Sequence, residues 1–157
     1  MPNAQIYAAR RQLEIAEPLG SGKDGIVMVA KRKAGPGKVA IKALRWPEPY
    51  QREKMVYERL KEIGITDVRG FNVPQFLGAA DDLRVIEISI VTRPFVLDFA
   101  GTYLNAPPEF PNGVMEDWEA DQREKFETRW PEVQAVMSAF EEFGIYLLDI
   151  SPANIAF

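Results

Sequence analysis

Apolar residues recur at alternate positions near the start of the chain, on both sides of a stretch rich in glycine. They flank the segment Gly20-Ser21-Gly22-Lys23-Asp24-Gly25, and they are Leu13, Ile15, Leu19, Ile26, Val27 and Val29. This alternation predicts two strands joined by a glycine-rich turn. A second turn, with Gly35-Pro36-Gly37 at its tip, leads into a third strand over residues 39–44, which is apolar except for Lys42. An ammonium group in a buried strand is costly unless an anion meets it.

A helical spacing of apolar residues follows the third strand. It predicts a helix over residues 50–63 that ends at Gly64, because glycine commonly caps the C-terminal end of a helix. One face of this helix, by the i, i+3, i+4, i+7 rule, carries Glu53, Val56, Tyr57 and Leu60. A carboxylate on an apolar face that packs against a sheet needs a cation, and Lys42 is the one available. Glu58 is the second candidate, although its helical neighbours are mostly charged.

The rest of the chain is predicted to mix short strands and helices. Residues 1–10 are compatible with a short helix or a loose arm. The later elements are strands over residues 73–78 and 83–91 with a turn at Asp81-Asp82, a charged helix over residues 115–129 that packs through Trp118 and Phe126, and a helix from Pro131 to Gly144 whose core stripe is Val133, Val136, Met137 and Phe140.

The glycine-rich turn and the third strand together resemble the protein kinases and their relatives. Residues 20–27 match the loop G-x-G-x-x-G-x-V at every defined position, and residues 39–42 read V-A-I-K. A dinucleotide-binding glycine loop would open a helix, whereas β-branched residues and another turn follow Gly25. A Walker A loop is excluded because neither Gly-Lys pair is followed by serine or threonine.

The resemblance implies an α+β fold. Residues 1–101 would form an N-lobe with an antiparallel sheet, one packed helix and the hinge, and residues 102–157 a short, incomplete helical C-lobe. It implies ATP and Mg²⁺ as ligands, with Lys42 held on the phosphates by Glu53. The residues implied to bind ATP are Gly20, Ser21, Gly22, Gly25, Val27, Ala40, Lys42 and Glu53. Residues 89–91 and 98–100 can each be aligned with the hinge that meets adenine.

The end of the chain resembles the catalytic loop D-x-x-x-x-N of the same family. Asp149 lies in an apolar run after a helix, and Asn154 follows five residues later. The resemblance implies that Asp149 orients an acceptor hydroxyl, acting with Lys42 in catalysis, and that Asn154 binds Mg²⁺. The alternative interpretation is structural, with Asp149 as a capping or turn residue before Ser-Pro and Asn154 as a turn residue.

The match departs from the family in several places. Leu147-Leu148 stand where kinases carry His-Arg, and Ser151 replaces a common lysine. No D-F-G, whose aspartate is the principal Mg²⁺ ligand, follows Asn154. Residues 98–101 read Asp-Phe-Ala-Gly, but they precede the catalytic loop and their glycine is out of register, so we do not expect them to substitute. Weak Mg·ATP binding and poor phosphate transfer are therefore expected.

The last three residues predict a strand without a partner. In kinases the strand after the catalytic loop pairs with later sequence, and here the chain given stops at Phe157, about 60% of the way through a family domain by motif order. An unpaired strand edge is open to another chain. Self-association through residues 155–157, or completion by another polypeptide, is the resulting hypothesis.

Composition narrows the function classes. The 157 residues contain no cysteine and no histidine, which excludes disulfides, thiolate metal sites and histidine-based catalysis. A net charge of −4 gives no reason to expect nucleic acid or an anionic membrane as a partner. No apolar run approaches the ~20 residues of a membrane span, and no signal peptide is evident, so we expect a cytoplasmic protein.

Two functional hypotheses of different classes remain open, beside a plain α+β domain with accidental motifs. The first is a kinase-like protein that transfers phosphate from Mg·ATP to a protein or small-molecule hydroxyl, with the acceptor unidentified. The second is a pseudokinase-like module that binds a nucleotide or a partner without catalysis. The intact loop glycines, Lys42, Glu53, Asp149 and Asn154 favour the first, and the missing metal aspartate favours the second.

Overall fold

The computed structural model describes residues 2–148 and 150–157, which form an α+β structure. The first half contains α1 (Pro2–Arg10), β1 (Leu13–Ser21), β2 (Gly25–Arg32), β3 (Lys38–Leu44), α2 (Pro47–Glu62), β4 (Asp67–Val68), β5 (Phe71–Asn72), β6 (Phe76–Ala80), β7 (Val85–Ser89) and β8 (Phe95–Val96). The second half contains β9 (Tyr103–Leu104), α3 (Val114–Phe126), a 3₁₀ turn (Glu127–Arg129), α4 (Trp130–Glu141), β10 (Ile145–Tyr146) and β11 (Ile155–Ala156).

The largest sheet has five antiparallel strands in the order β1-β2-β3-β7-β6. Its central strand, β3, is buried on both faces, and successive side chains of a strand point to opposite faces. Val39, Ile41 and Ala43 pack with α1 in one core cluster, whereas Ala40 and Leu44 belong to the other, with α2. The sheet is therefore sandwiched between α1 and α2.

Helix α2 follows the predicted spacing closely. Its first turn contains Pro47, whose fixed φ suits that position, and Gly64 beyond its end adopts a φ of +76°. The face predicted from the spacing is the buried one, since Glu53, Val56, Tyr57 and Leu60 are all buried. Glu58, the second candidate for an ion pair with Lys42, is exposed.

Strand β6 starts later than predicted, at Phe76 rather than residue 73. Pro74 has no N–H to give to a ladder, and the Gln75 N–H donates to the Ser89 hydroxyl oxygen instead of to a backbone carbonyl (2.8 Å). The turn at Asp81-Asp82 is where it was predicted, and β7 occupies the middle of the second predicted strand.

A second sheet joins distant parts of the chain in the order β11-β8-β5-β4. Ile155 and Ala156 of β11 pair antiparallel with Val96 and Phe95 of β8, and the Leu97 N–H donates to the Asn154 carbonyl (2.9 Å). The expectation that β11 has no partner within the chain is therefore wrong, because β8, which precedes β11 in the chain, pairs with it. β11 is nevertheless the edge strand of this sheet, with no strand among the described residues on its outer side, and self-association through residues 155–157 stays a prediction.

The helices of the second half complete the larger core. Val133, Val136 and Phe140 of α4 are fully buried, and Trp118 and Phe126 pack against the same cluster from α3, as predicted. Helix α3 ends three residues earlier than expected, and a 3₁₀ turn covers the difference. No helix in residues 2–148 or 150–157 is long and apolar enough to cross a membrane.

Candidate active site

A cavity of about 550 Å³ opens between the glycine-rich turn, the central sheet and the segment that follows Ser151. Its floor includes β3, and one wall is formed by the end of β7. The predicted ATP-binding residues all line it, together with the predicted metal ligand: Gly20, Ser21, Gly22, Gly25, Val27, Ala40, Lys42, Glu53 and Asn154. The structure therefore brings together motifs that are separated by more than a hundred residues of sequence.

The three motif glycines of the turn have different surroundings. A Cβ on Gly25 would collide with the carbonyl of Ala43 in β3, so this glycine is required by the packing of the two strands. A Cβ on Gly20 or Gly22 would meet no atom of the described residues within 4 Å. Internal packing therefore does not explain Gly20 and Gly22, whereas a ligand that approaches the backbone closely would.

Lys42 and Glu53 form a buried ion pair at the base of the cavity. The Nζ of Lys42 donates to both carboxylate oxygens of Glu53, at 3.0 and 2.8 Å, and the side chains are 10% and 1% exposed. The contact follows from local structure, because β3 turns Lys42 toward α2 and the helical spacing turns Glu53 toward the sheet. Each charge compensates for the cost of burying the other.

Asp98 is the third member of this charge cluster, a contact with Lys42 that the sequence did not lead us to expect. The Nζ of Lys42 also donates to Asp98 Oδ1 at 3.0 Å, and Asp98 lines the cavity together with Asn154. We expected that residues 98–101 would not substitute for D-F-G, because they precede residues 149–154 in the chain and their glycine is out of register, and residues 98–100 were one of two candidates for the hinge. Chain order does not govern spatial order here, since β8 pairs with β11 and carries Asp98 to the side of Asn154.

The backbone and the aromatic core hold Asp98 in place. Asp98 has a φ of +72°, a left-handed conformation that is uncommon for a residue other than glycine. The next residue, Phe99, is fully buried, with its ring 5.2 Å from that of Tyr57 in α2 and 5.7 Å from that of Phe140 in α4. This row of rings connects the Asp98 turn to the helix that carries Glu53.

The electrostatics of the pair reflect burial and mutual attraction. Burial disfavours the charged form of Lys42, but the carboxylates of Glu53 and Asp98 outweigh burial and raise the lysine's pKa above its usual value. For Glu53, burial is the largest effect and raises the pKa of the carboxyl group. The charge of Lys42 opposes this rise, and the charge of Asp98 adds to it. The site therefore contains a firmly cationic lysine that faces two carboxyl groups.

Asn154 is oriented by Ser151. Its Oδ1 accepts hydrogen bonds from the N–H of Ser151 (2.8 Å) and from the hydroxyl of Ser151 (2.6 Å). Asp149, the predicted catalytic aspartate, lies outside the described residues.

The two segments that could be aligned with the hinge, residues 89–91 and 98–100, have different surroundings. Residues 89–91 follow directly on β7 and line the cavity. Phe99 and Ala100 are buried in the main core, and Asp98 contacts Lys42. Residues 89–91 are therefore the segment placed to meet a ligand next to apolar walls, which are formed by Leu19, Val27, Ala40, Ile88, Phe95 and Leu97.

Compared with models of known protein families and with curated protein sequences, the chain matches none of them. Inference about this site therefore depends on its geometry and its motifs.

Two of the residues that line the cavity, Asp98 and Asn154, bear oxygen atoms of the kind that could hold a divalent cation. Mg²⁺ in nucleotide sites is commonly bound by one or two protein oxygens, substrate phosphates and water. The side chain of Asp98 is 38% exposed, and both Asp98 and Asn154 line the cavity. Among the described residues, no group of three or more His, Cys, Asp or Glu side chains is arranged so that it could hold a metal ion.

Proposed function

We propose that this chain is a kinase-like phosphotransferase that binds Mg·ATP in the cavity beneath the glycine-rich turn. The observation that carries the proposal is the meeting of Lys42, Glu53 and Asp98 at hydrogen-bond distance, beside Asn154, in one open cavity. One ammonium group and two carboxylates lie at the base of an apolar-walled pocket. This arrangement suits a ligand with a flat base at one end and a charged phosphate chain at the other.

Asp98 changes the functional expectation. A kinase-like site without a carboxylate for the metal would hold Mg·ATP weakly, which is why the sequence favoured poor activity. In this proposal Asp98 supplies that carboxylate from a segment that precedes residues 149–154 in the chain. The order of motifs would then differ from that of ordinary kinases while the arrangement of charges around the nucleotide stays the same.

Each side chain has a distinct part in the proposed reaction. Lys42, held by Glu53, places a fixed positive charge on the phosphate chain, and the unhindered backbone of Gly20 and Gly22 covers it. Asp98 and Asn154 would hold Mg²⁺, which neutralises charge on the phosphates when bound. Asp149 would accept a hydrogen bond from an acceptor hydroxyl and orient it toward the terminal phosphate. Positioning and charge stabilisation are most of what phosphoryl transfer needs.

A nucleotide-binding module without transfer activity is the second candidate. The observation in its favour is that Lys42 occupies Asp98 Oδ1, and both hydrogen-bond donors of Ser151 occupy Asn154 Oδ1. If these contacts persist with nucleotide bound, binding would not depend on Mg²⁺.

Calorimetry of ATP binding with and without Mg²⁺ distinguishes the candidates. We expect Mg²⁺ to strengthen ATP binding by the wild-type protein. We expect this Mg²⁺-strengthened binding of ATP to be lost in Lys42→Ala. Lys38→Ala is the matched control, because Lys38 lies on the same strand but is exposed and distant from the cavity lining. Binding that is indifferent to Mg²⁺ would favour the second candidate. Absence of binding by the wild type, or equal binding by both lysine variants, would contradict both.

A further inference from the structure

Helix α3 contains a buried glutamine on an otherwise charged and mostly exposed helix. Gln122 is only 3% exposed, and the other buried residue of α3 is Phe126. The amide Nε2 of Gln122 donates to the backbone carbonyl of Ile150 at 3.2 Å, across 28 residues of sequence. Ile150 directly follows Asp149, so this bond ends at the segment that carries the proposed catalytic residues.

The described hydrogen bonds of residues 150–155 divide the segment into two parts. Its second part is closed on itself, because the N–H groups of Asn154 and Ile155 both donate to the Ser151 carbonyl. Asn154 is also tied to β8 through the N–H of Leu97. Ile150, at the start of the segment, is held at its carbonyl by the side chain of Gln122.

Packing alone does not explain a glutamine at this position. Its Oε1 is buried and has no hydrogen-bond partner among the described residues. A buried polar atom without a partner destabilises the folded state, and a methionine of similar length would fill the same space without that atom. Of the two polar atoms of this side chain, Nε2 is therefore the one that makes a described hydrogen bond, to the Ile150 carbonyl.

We propose that Gln122 is a positioning residue, which holds residues 150–154 against α3 through its bond to the Ile150 carbonyl. Its consequence for catalysis depends on the proposed function, but the positioning itself does not. Ile150 lines a small cavity of about 10 Å³ together with Asp98 and Asn154, so displacement of Ile150 would reach the residues proposed to hold Mg²⁺.

The test compares Gln122→Met with Gln134→Met. Gln134 is a suitable control because its Nε2 also bonds to another helix, at Glu119 Oε1 (3.3 Å), and no described hydrogen bond joins it to residues 150–154. Amide hydrogen exchange and urea unfolding are measured without nucleotide. In Gln122→Met we expect the amides of Ser151 and Asn154 to exchange about threefold to tenfold faster, since one hydrogen bond is lost, at unchanged or increased global stability. Gln134→Met should leave these amides unchanged.

Three results would overturn the proposal. The first is unchanged amide exchange at Ser151 and Asn154 in Gln122→Met. The second is faster exchange spread evenly over the whole protein, and the third is a Gln122→Met variant that does not fold. Either of these last two results would show that Gln122 has a purely structural role. If the wild type transfers phosphate, Gln122→Met should lower kcat by about tenfold and leave KM for ATP nearly unchanged. A wild type that binds no ATP would count against the proposed function and leave the exchange result to decide the role of Gln122.

Discussion

Two glutamates are buried on opposite faces of the same sheet, and each is only 1% exposed. Glu53 lies on α2 and meets Lys42 at the base of the cavity. Glu87 lies on β7 under α1, where its Oε1 accepts hydrogen bonds from the Tyr7 hydroxyl and from Arg11 Nε, both at 2.9 Å. Both carboxylates satisfy the rule that a buried charge requires a partner.

The surroundings of the two carboxylates differ in what they leave open. The partner of Glu53 also contacts Asp98, and all three groups line a cavity large enough for a nucleotide-sized ligand. The partners of Glu87 are Tyr7 in α1 and Arg11 just beyond the end of that helix, and Gly78, opposite Glu87 in the sheet, gives Tyr7 the space to reach it. Burial of a carboxylate therefore does not by itself indicate a functional site. A shared cation that faces open space is the more informative feature.

Replacing Lys42 should have the largest effect. In Lys42→Met the buried Glu53 loses its cation, and we expect the free energy of unfolding to fall by about 3–5 kcal/mol. Urea unfolding measures this loss, and Lys38→Met on the exposed end of β3 is the control. A loss below that of an ordinary surface substitution would contradict the description of Glu53 as dependent on this pair.

Removing one hydroxyl from the other face should have a smaller effect, confined to stability. Tyr7→Phe deletes one of the two donors to Glu87, and we expect a loss of about 1–3 kcal/mol because a buried carboxylate keeps fewer partners. Binding of ATP at a temperature where the variant is folded should match the wild type. A clear change in ATP affinity would show that the two faces of the sheet are coupled. It would contradict the expectation that the contacts of Glu87 affect stability alone.

Gly78→Ala should destabilise the protein by about 1 kcal/mol, at the low end for overpacking. An added Cβ would lie 2.9 Å from the Tyr7 hydroxyl oxygen, and the backbone conformation at Gly78 does not itself require glycine. The effect should nearly disappear in the Tyr7→Phe background, where that oxygen is absent. Equal losses in both backgrounds would show that the Tyr7 hydroxyl is not what the new methyl group meets.

The smallest expected effect is on the pH dependence of stability. Burial, followed by the hydrogen bond and charge of Glu87, raises the pKa of the Tyr7 phenol above its usual value. Above about pH 10 the unfolded phenol loses its proton while the folded one keeps it, so stability that is fully present below this pH falls as pH rises. The difference in unfolding free energy between wild type and Tyr7→Phe should therefore narrow from pH 8 to pH 11. A difference independent of pH would contradict this origin.

The sequence predicted the parts of the site that local structure determines. The period of two in β3 and the spacing of α2 were enough to expect Lys42 and Glu53 on facing surfaces, and the structure shows them in contact. The glycine-rich turn was equally evident, because its residues are adjacent in the chain.

The sequence did not reveal contacts that depend on how distant segments pair. The sequence argued against residues 98–101 as a substitute for D-F-G, because they precede the D-x-x-x-x-N segment and their glycine is out of register. Only the pairing of β8 with β11 shows how Asp98 and Asn154 come to line the same cavity. In the sequence, Glu87 is one residue of a predicted strand. Its partner Tyr7 lies 80 residues away, in the segment that the spacing left undecided between a helix and a loose arm, and Arg11 lies 76 residues away, directly after that segment. Neither arrangement has a local signature in the sequence.

The measurement that tests the central claim most directly is the Mg²⁺ dependence of ATP affinity in the wild type and in Asp98→Asn. The asparagine keeps the shape of the side chain and removes the charge proposed to hold the metal. The account predicts that Mg²⁺ strengthens ATP binding by the wild type and has little effect on binding by Asp98→Asn. An undiminished effect of Mg²⁺ in Asp98→Asn would contradict the role of Asp98, and no effect of Mg²⁺ in the wild type would contradict the proposed metal-dependent site.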